Sequence, residues 1–146
     1  RLYLIHSWHH KTFAHFPVSM VAALAAIEIT EDENLLENCR KMGSLFKAGL
    51  RALQERYEFI GDVRGPGLMI GIEMVKDRTT KEPNREIPEF FIREGLKRGA
   101  IFGESKYLGL GNVVKIKPPL VITENQVVKV LEIFGTICED VTKLKN

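Results

Sequence analysis

With 146 residues, 45% of them hydrophobic, the chain has single-domain length and enough apolar mass for a core. Its 21 basic and 19 acidic residues are interleaved and leave a net charge of +2, which argues against nucleic acid as the main partner. No apolar run approaches membrane-spanning length, no signal peptide is visible, and Cys39 and Cys138 are too few for a disulfide scaffold, which points to a soluble cytoplasmic protein.

The chain opens on an apolar stretch, RLYLI, without an initiator Met, as if cut from something longer. The segment HHKTFAHFPVSM follows closely, rich in histidine and carrying a Lys-Thr-Phe triplet. Pro17 suits the first position of a helix, and VSMVAALAAIEI after it is apolar nearly all round. Such a helix is built for burial on every side, in a larger body than these residues supply. Leu35, Cys39, Met42, Phe46, Leu50, Leu53 and Tyr57 then recur at helical spacing and predict a long amphipathic helix, with Cys39 and Met42 as core residues.

The period changes in FIGDVRGPGLMIGIEMVKD, which predicts two β segments broken at Gly65-Pro66-Gly67. The glycines there do not make a dinucleotide site, because that fingerprint needs a helix after them and LMIGIEMV is strand-like. DRTTKEPNRE is a polar surface loop. IPEFFIREGLKRG predicts a short helix with Pro88 in its first turn and Gly99 just past its end. Ala100 to Phe102 is expected as a strand, GESKYLGLGN as a loop, and NVVKIK as a strand stopped by Pro118-Pro119. Thr123 and Gln126 form a capping box, followed by Val127, Val130, Leu131, Phe134, Ile137, Cys138 and Val141 on one helix face. The expected class is therefore α+β: a three- to four-stranded, largely antiparallel sheet covered by helices and preceded by long helices.

Residue chemistry alone leaves the function open. His6, His9, His10 and His15 match no common zinc spacing, and adjacent His9 and His10 would point opposite ways on a strand, so no metal site is predicted. Ser7, Ser19, Ser44 and Ser105 lack a nucleophile-elbow context. No pair of catalytic carboxylates stands out among 19 acidic residues. A stand-alone α+β interaction module without catalytic role is one reading at this point.

The order of the segments says more. HKTFAHFPVSMVAALAAIEI, IGDVRGPGLMIGIEMVKD, TKEP and GNVVKIKPPLVITENQ, in that order, closely resemble the C-terminal portion of class III aminotransferases, fold-type I enzymes that use pyridoxal 5′-phosphate (PLP). The resemblance covers nearly the whole chain. It implies that residues 1–30 are the tail end of the large PLP-binding domain, 31–58 a long linking helix, and 59–146 the small C-terminal domain. It also implies that the chain starts just downstream of the lysine that holds PLP, so that this stretch alone is inactive and contains no catalytic residue. The intact enzyme would be a cytoplasmic homodimer that moves an amino group from an amino acid or amine to a keto acid or aldehyde. A PLP-dependent lyase or racemase of the same fold is the alternative.

Two residues carry the site by this resemblance. Thr12 sits where the family's threonine donates a hydrogen bond to the PLP phosphate, usually in the other subunit's active site. Phe16 stands where the family often has Asn before the proline. Lys115, ahead of Ile116-Lys117-Pro118-Pro119, takes the place of an arginine that grips the substrate α-carboxylate. A lysine keeps the charge and loses the bidentate fork. It would bind a carboxylate more loosely, serve a substrate lacking the α-carboxylate, or belong to a branch resembling phospholyases of amino-alcohol phosphates; a solvated edge-strand lysine is the bland alternative. Lys117 alternates to the same strand face. Arg64 and Gly67 are expected to be turn and domain-packing residues.

Overall fold

The structure, a computed structural model, describes residues 16–105 and 111–144. The chain divides into two compact units, residues 1–35 and residues 36–146. In the first, helix α1 (Pro17–Asp32) starts with Pro17 in its first turn, as expected. Phe16 precedes it in extended conformation and gives no side-chain cap, the first turn holds no acidic residue, and no residue of the helix is buried.

The second unit contains α2 (Leu35–Arg56), β1 (Ile60–Arg64), β2 (Ile70–Met74), α3 (Glu86–Lys97), β3 (Gly103–Glu104), β4 (Val113–Ile116) and α4 (Glu124–Leu144). The four strands form one antiparallel sheet in the order β1-β2-β4-β3. Alternation sorts their side chains onto two faces. Ile60, Val63, Ile70, Ile72, Met74, Val114 and Ile116 point inward and are buried. Against them pack Met42, Phe46 and Leu50 of α2, Ile87 and Phe91 of α3, and Val127, Phe134 and Ile137 of α4. Phe91, Phe102 and Phe134 form the aromatic centre, with ring centroids 4.5 Å apart for Phe91 and Phe134 and 5.7 Å apart for Phe102 and Phe134.

The ends of the elements follow from local chemistry. α3 stops in a Schellman arrangement: Gly99 adopts φ +84°, its N–H reaches the Leu96 carbonyl, and the Ala100 N–H reaches that of Gly95 at 2.8 Å. That closure displaces the third strand from its expected place. Ala100 is committed to the helix end, so the ladder begins only at Gly103, opposite Lys115, and Ala100–Phe102 is not a strand. At α4 the Thr123 N–H donates to Gln126 Oε1 at 2.9 Å, while the Thr123 hydroxyl turns to the same oxygen at 3.1 Å, so only the returning half of the capping box is made. α2 is capped from a distance. Arg78, in the polar loop, donates to the carbonyls of Gln54, Tyr57 and Ile60 and so satisfies the last groups of the helix and the entry to β1.

The β1–β2 turn is pinned to α2 by close backbone approach. Lys47 Nζ donates to the Gly65 carbonyl at 3.1 Å. A methyl group on Gly43 would sit 2.2 Å from the Gly67 carbonyl oxygen. Gly43→Ala should therefore destabilise the chain by about 1–3 kcal/mol through overpacking, although alanine favours a helix by about 1 kcal/mol over glycine. Urea unfolding of the two proteins checks the sign; a gain in stability would show that the turn can move off the helix.

Candidate active site

The face of the sheet away from the helices carries the polar set. Across its strands the register places Asp62 opposite Glu73, Arg64 opposite Gly71, Gly71 opposite Lys115, and Lys115 opposite Gly103. Lys115 thus has a glycine as its direct neighbour on either side. Val113, on the same face of β4, reaches over Gly71, where a methyl group would meet its Cγ1 at 3.3 Å. The Lys115 stem runs over Gly103, where a methyl group would lie 3.6 Å from Lys115 Cβ and 3.8 Å from Cε. Lys115 is half-buried along its stem, and Lys117 beyond the end of β4 is exposed. Among the described residues no carboxylate or carbonyl takes the Lys115 ammonium as a partner within hydrogen-bond or ion-pair distance.

The neighbouring charges are paired among themselves. Asp62 and Glu73 are like charges placed directly opposite, an arrangement that repels unless a cation intervenes. Arg64 supplies it, with Nη1 at 2.8 Å from both Asp62 Oδ2 and Glu73 Oε2. The hydrogen bond to Asp62, then that to Glu73, raises the Arg64 pKa above its ordinary value. Asn112, only 2% exposed, donates from Nδ2 to the Met74 carbonyl at 3.2 Å and lies 3.4 Å from Glu73 Oε1. Its own carbonyl accepts the Met74 N–H at 2.7 Å.

The expected residues are therefore distributed as follows. Lys115 lies on the polar sheet face. Arg64 is the last residue of β1 and a member of that face, where a turn residue was expected. Gly67 occupies the turn at φ +48°. Thr12 and the four histidines lie outside the described residues. Among the described residues no group of His, Cys, Asp and Glu side chains could hold a metal ion. Cys138 is buried, which pushes its thiol pKa far up and leaves it a protonated packing residue. No helix among the described residues is long and apolar enough to cross a membrane.

The class III aminotransferase model matches residues 3–138. The chain belongs to the class III aminotransferase family. Among curated relatives, it is 41% identical over 124 residues to an alanine/serine racemase of Pyrococcus horikoshii, covering 85% of this chain and 25% of the racemase. It is 43% identical over 116 residues to a taurine–pyruvate aminotransferase of Bilophila wadsworthia, covering 77% of this chain and 25% of that protein. A third relative, ethanolamine-phosphate phospho-lyase homolog 1 of Caenorhabditis elegans, is 36% identical over 94% of this chain and 28% of its own length. A solved transaminase from the marine bacterium Virgibacillus superposes with a TM-score of 0.83 at 28% identity, over 98% of this chain and 32% of that one. The chain spans about a quarter of the length of the curated relatives it matches. Class III aminotransferases are PLP-dependent, and the α+β arrangement found here corresponds to 32% of the Virgibacillus transaminase chain.

Sequence reasoning missed Asn112, Glu73 and the bridging role of Arg64. The alternation of IGIEM is a signal that Glu73 leaves the core, but its partners come from strands that only folding brings alongside. Asn112 looks like any loop-end residue until its burial is known. Asn112→Ala removes the hydrogen bond to Met74, whose carbonyl keeps the N–H of Asn84. The cost should be about 0.5–1.5 kcal/mol in chemical denaturation; a loss several times larger would mean that the strand register itself depends on the Asn112 side chain.

Proposed function

We propose that the protein containing this chain is a PLP-dependent transaminase that moves an amino group from an amino acid or amine donor to a keto acid or aldehyde, working as a cytoplasmic homodimer. In it, residues 1–30 end the large PLP-binding domain, 31–58 form the linking helix and 59–146 the small C-terminal domain. The observation that carries this reading is the class III model's match over nearly the whole length of the chain, together with Lys115, which stands between two glycines and has no acidic partner among the described residues. A half-buried cation so placed suits an anionic group of a substrate.

The phosphate end of the cofactor has support of its own. α1 begins with no side-chain cap at Phe16 and no acidic residue in its first turn, so among the described residues nothing of its own first turn neutralises the positive end of this 16-residue helix. Thr12 lies five residues before that start and would donate its hydroxyl to the phosphate. PLP, when bound, supplies the electron sink that amino transfer requires. The part of this chain is to bind: Thr12 and the α1 terminus at the phosphate, Lys115 at the substrate anion. A lyase or racemase of the same fold is the second reading, favoured by the racemase and phospho-lyase among the relatives.

In the full-length protein, Lys115→Ala should lower kcat/KM for an anionic donor about 10- to 150-fold, the range of a charge-assisted contact. Uncharged amine donors should keep their rates. If every donor and acceptor stays within about twofold of wild type, Lys115 is a solvated surface lysine. Loss of the Thr12 hydroxyl should weaken PLP binding by about 10- to 150-fold in equilibrium dialysis of Thr12→Ala. Heterodimers pairing Thr12→Ala subunits with subunits lacking the cofactor lysine should regain activity if Thr12 serves the opposite subunit. No gain in verified heterodimers would place Thr12 in its own subunit's site or outside any site.

A further inference from the structure

Among the described residues the polar sheet face holds two cations and two carboxylates, yet the pairing is one-sided. Both Asp62 and Glu73 bind Arg64, at 2.8 Å each, and neither binds Lys115. Distance along the sheet does not explain this. Glu73 is opposite Val113 and Lys115 is opposite Gly71, so Glu73 and Lys115 are diagonal neighbours on one face of the β2–β4 pair. Such sites lie about 7–8 Å apart, which two long side chains can bridge. Gly71 and Gly103 carry no side chains, but Val113 Cγ1 reaches over Gly71 and the Lys115 stem lies over Gly103, on the side away from Glu73.

The hold on Glu73 adds to this separation. Arg64 takes one carboxylate oxygen, and Asn112 Nδ2 approaches the other at 3.4 Å. Arg64 is itself neutralised by two carboxylates, so it is not the free cation of this face. We infer that Arg64 is a positioning residue that holds Glu73 away from Lys115 and so keeps the Lys115 ammonium open to the anionic group of a substrate. This rests on the reading of Lys115 as an anion contact and adds the device that makes the contact available. It also assigns Glu73 a definite hazard: once released, it is a carboxylate on the same sheet face, one diagonal from Lys115.

The test needs neither cofactor nor substrate. The chain is acetylated to low conversion with an N-hydroxysuccinimide ester, and the labelling of Lys115 relative to exposed Lys117 is read by peptide mass spectrometry. In Arg64→Met the released Glu73 pairs with Lys115, and the Lys115/Lys117 ratio should fall about 1.5- to 5-fold, the range of an exposed ion pair. Arg64→Met combined with Glu73→Gln should restore the ratio, and Arg64→Lys should preserve it. Glu73→Gln alone should leave it as in wild type, because Glu73 is already held. An unchanged ratio in Arg64→Met overturns the inference, as does a fall that Glu73→Gln does not reverse. A rise in Glu73→Gln alone overturns it too, since Lys115 would then have been paired from the start. If circular dichroism shows Arg64→Met to be unfolded, Arg64→Gln, a polar change that also releases Glu73, decides the matter by the same ratio: a fall supports the inference and no fall overturns it. Failure here leaves the transaminase reading standing. Conversely, wild-type kinetics in Lys115→Ala would remove that reading of Lys115 without touching the pairing.

Discussion

The register of β2 against β4 is the constraint on which the polar face depends. Side chains on a strand alternate with a period of two, and a slip of one residue exchanges the two faces entirely. Ile70, Ile72 and Met74 on one strand and Val114 and Ile116 on the other are buried against Phe46, Phe91 and Phe134. Slipping the pair would drive Glu73 and Lys115 into that aromatic centre, where an unpaired charge costs several kcal/mol or more. The position of Lys115 is thus imposed by hydrophobic burial on the far side of its own strand. Its chemistry is decided on the near side, by which neighbours are glycine.

The β1–β2 turn transmits the same constraint to Arg64. Gly43 on α2 lets the helix backbone approach Gly67, and Lys47 ties down the Gly65 carbonyl, so the turn has little freedom to shift. A fixed turn places Arg64 opposite Gly71 and brings Asp62 directly against Glu73. Two carboxylates in that relation need a shared cation, and Arg64 is the nearest. The ion network therefore follows from packing that has nothing to do with charge. Being half-exposed, it adds little to stability by itself, and its value lies in where it leaves Glu73.

Local signals in the sequence carried most of the helical architecture. Pro17 begins α1, the Leu35-to-Tyr57 periodicity traces α2, Gly99 ends α3, and Thr123 with Gln126 opens α4. Each works through neighbours three or four residues away, a range that reading a sequence can cover. The misplaced third strand shows the limit: Ala100 has a strand-like burial pattern, but its N–H is taken by the end of α3, and only the competition between the two decides. Arg78 is beyond the same limit, since its three carbonyl partners lie 18 to 24 residues away. For the candidate site, the role of Lys115 is proposed from four motifs that in order resemble a family, whereas Glu73, Asn112 and Arg64 act through cross-strand neighbours. Thr12 rests on the resemblance alone.

The lysine at position 115 makes sense on this face for a reason that goes beyond its charge. A guanidinium presents a planar fork that matches a carboxylate bidentately, while an ammonium is a compact point charge on a flexible stem. With Arg64 already spanning Asp62 and Glu73, a second guanidinium one diagonal away would compete for Glu73 on equal geometric terms. Two forks and two carboxylates on one face form a closed set with no cation left over. An ammonium matches Glu73 less well than the fork that already holds it, so the existing pair survives and Lys115 has no acidic partner among the described residues. That is the arrangement the proposed role of Lys115 as an anion contact requires.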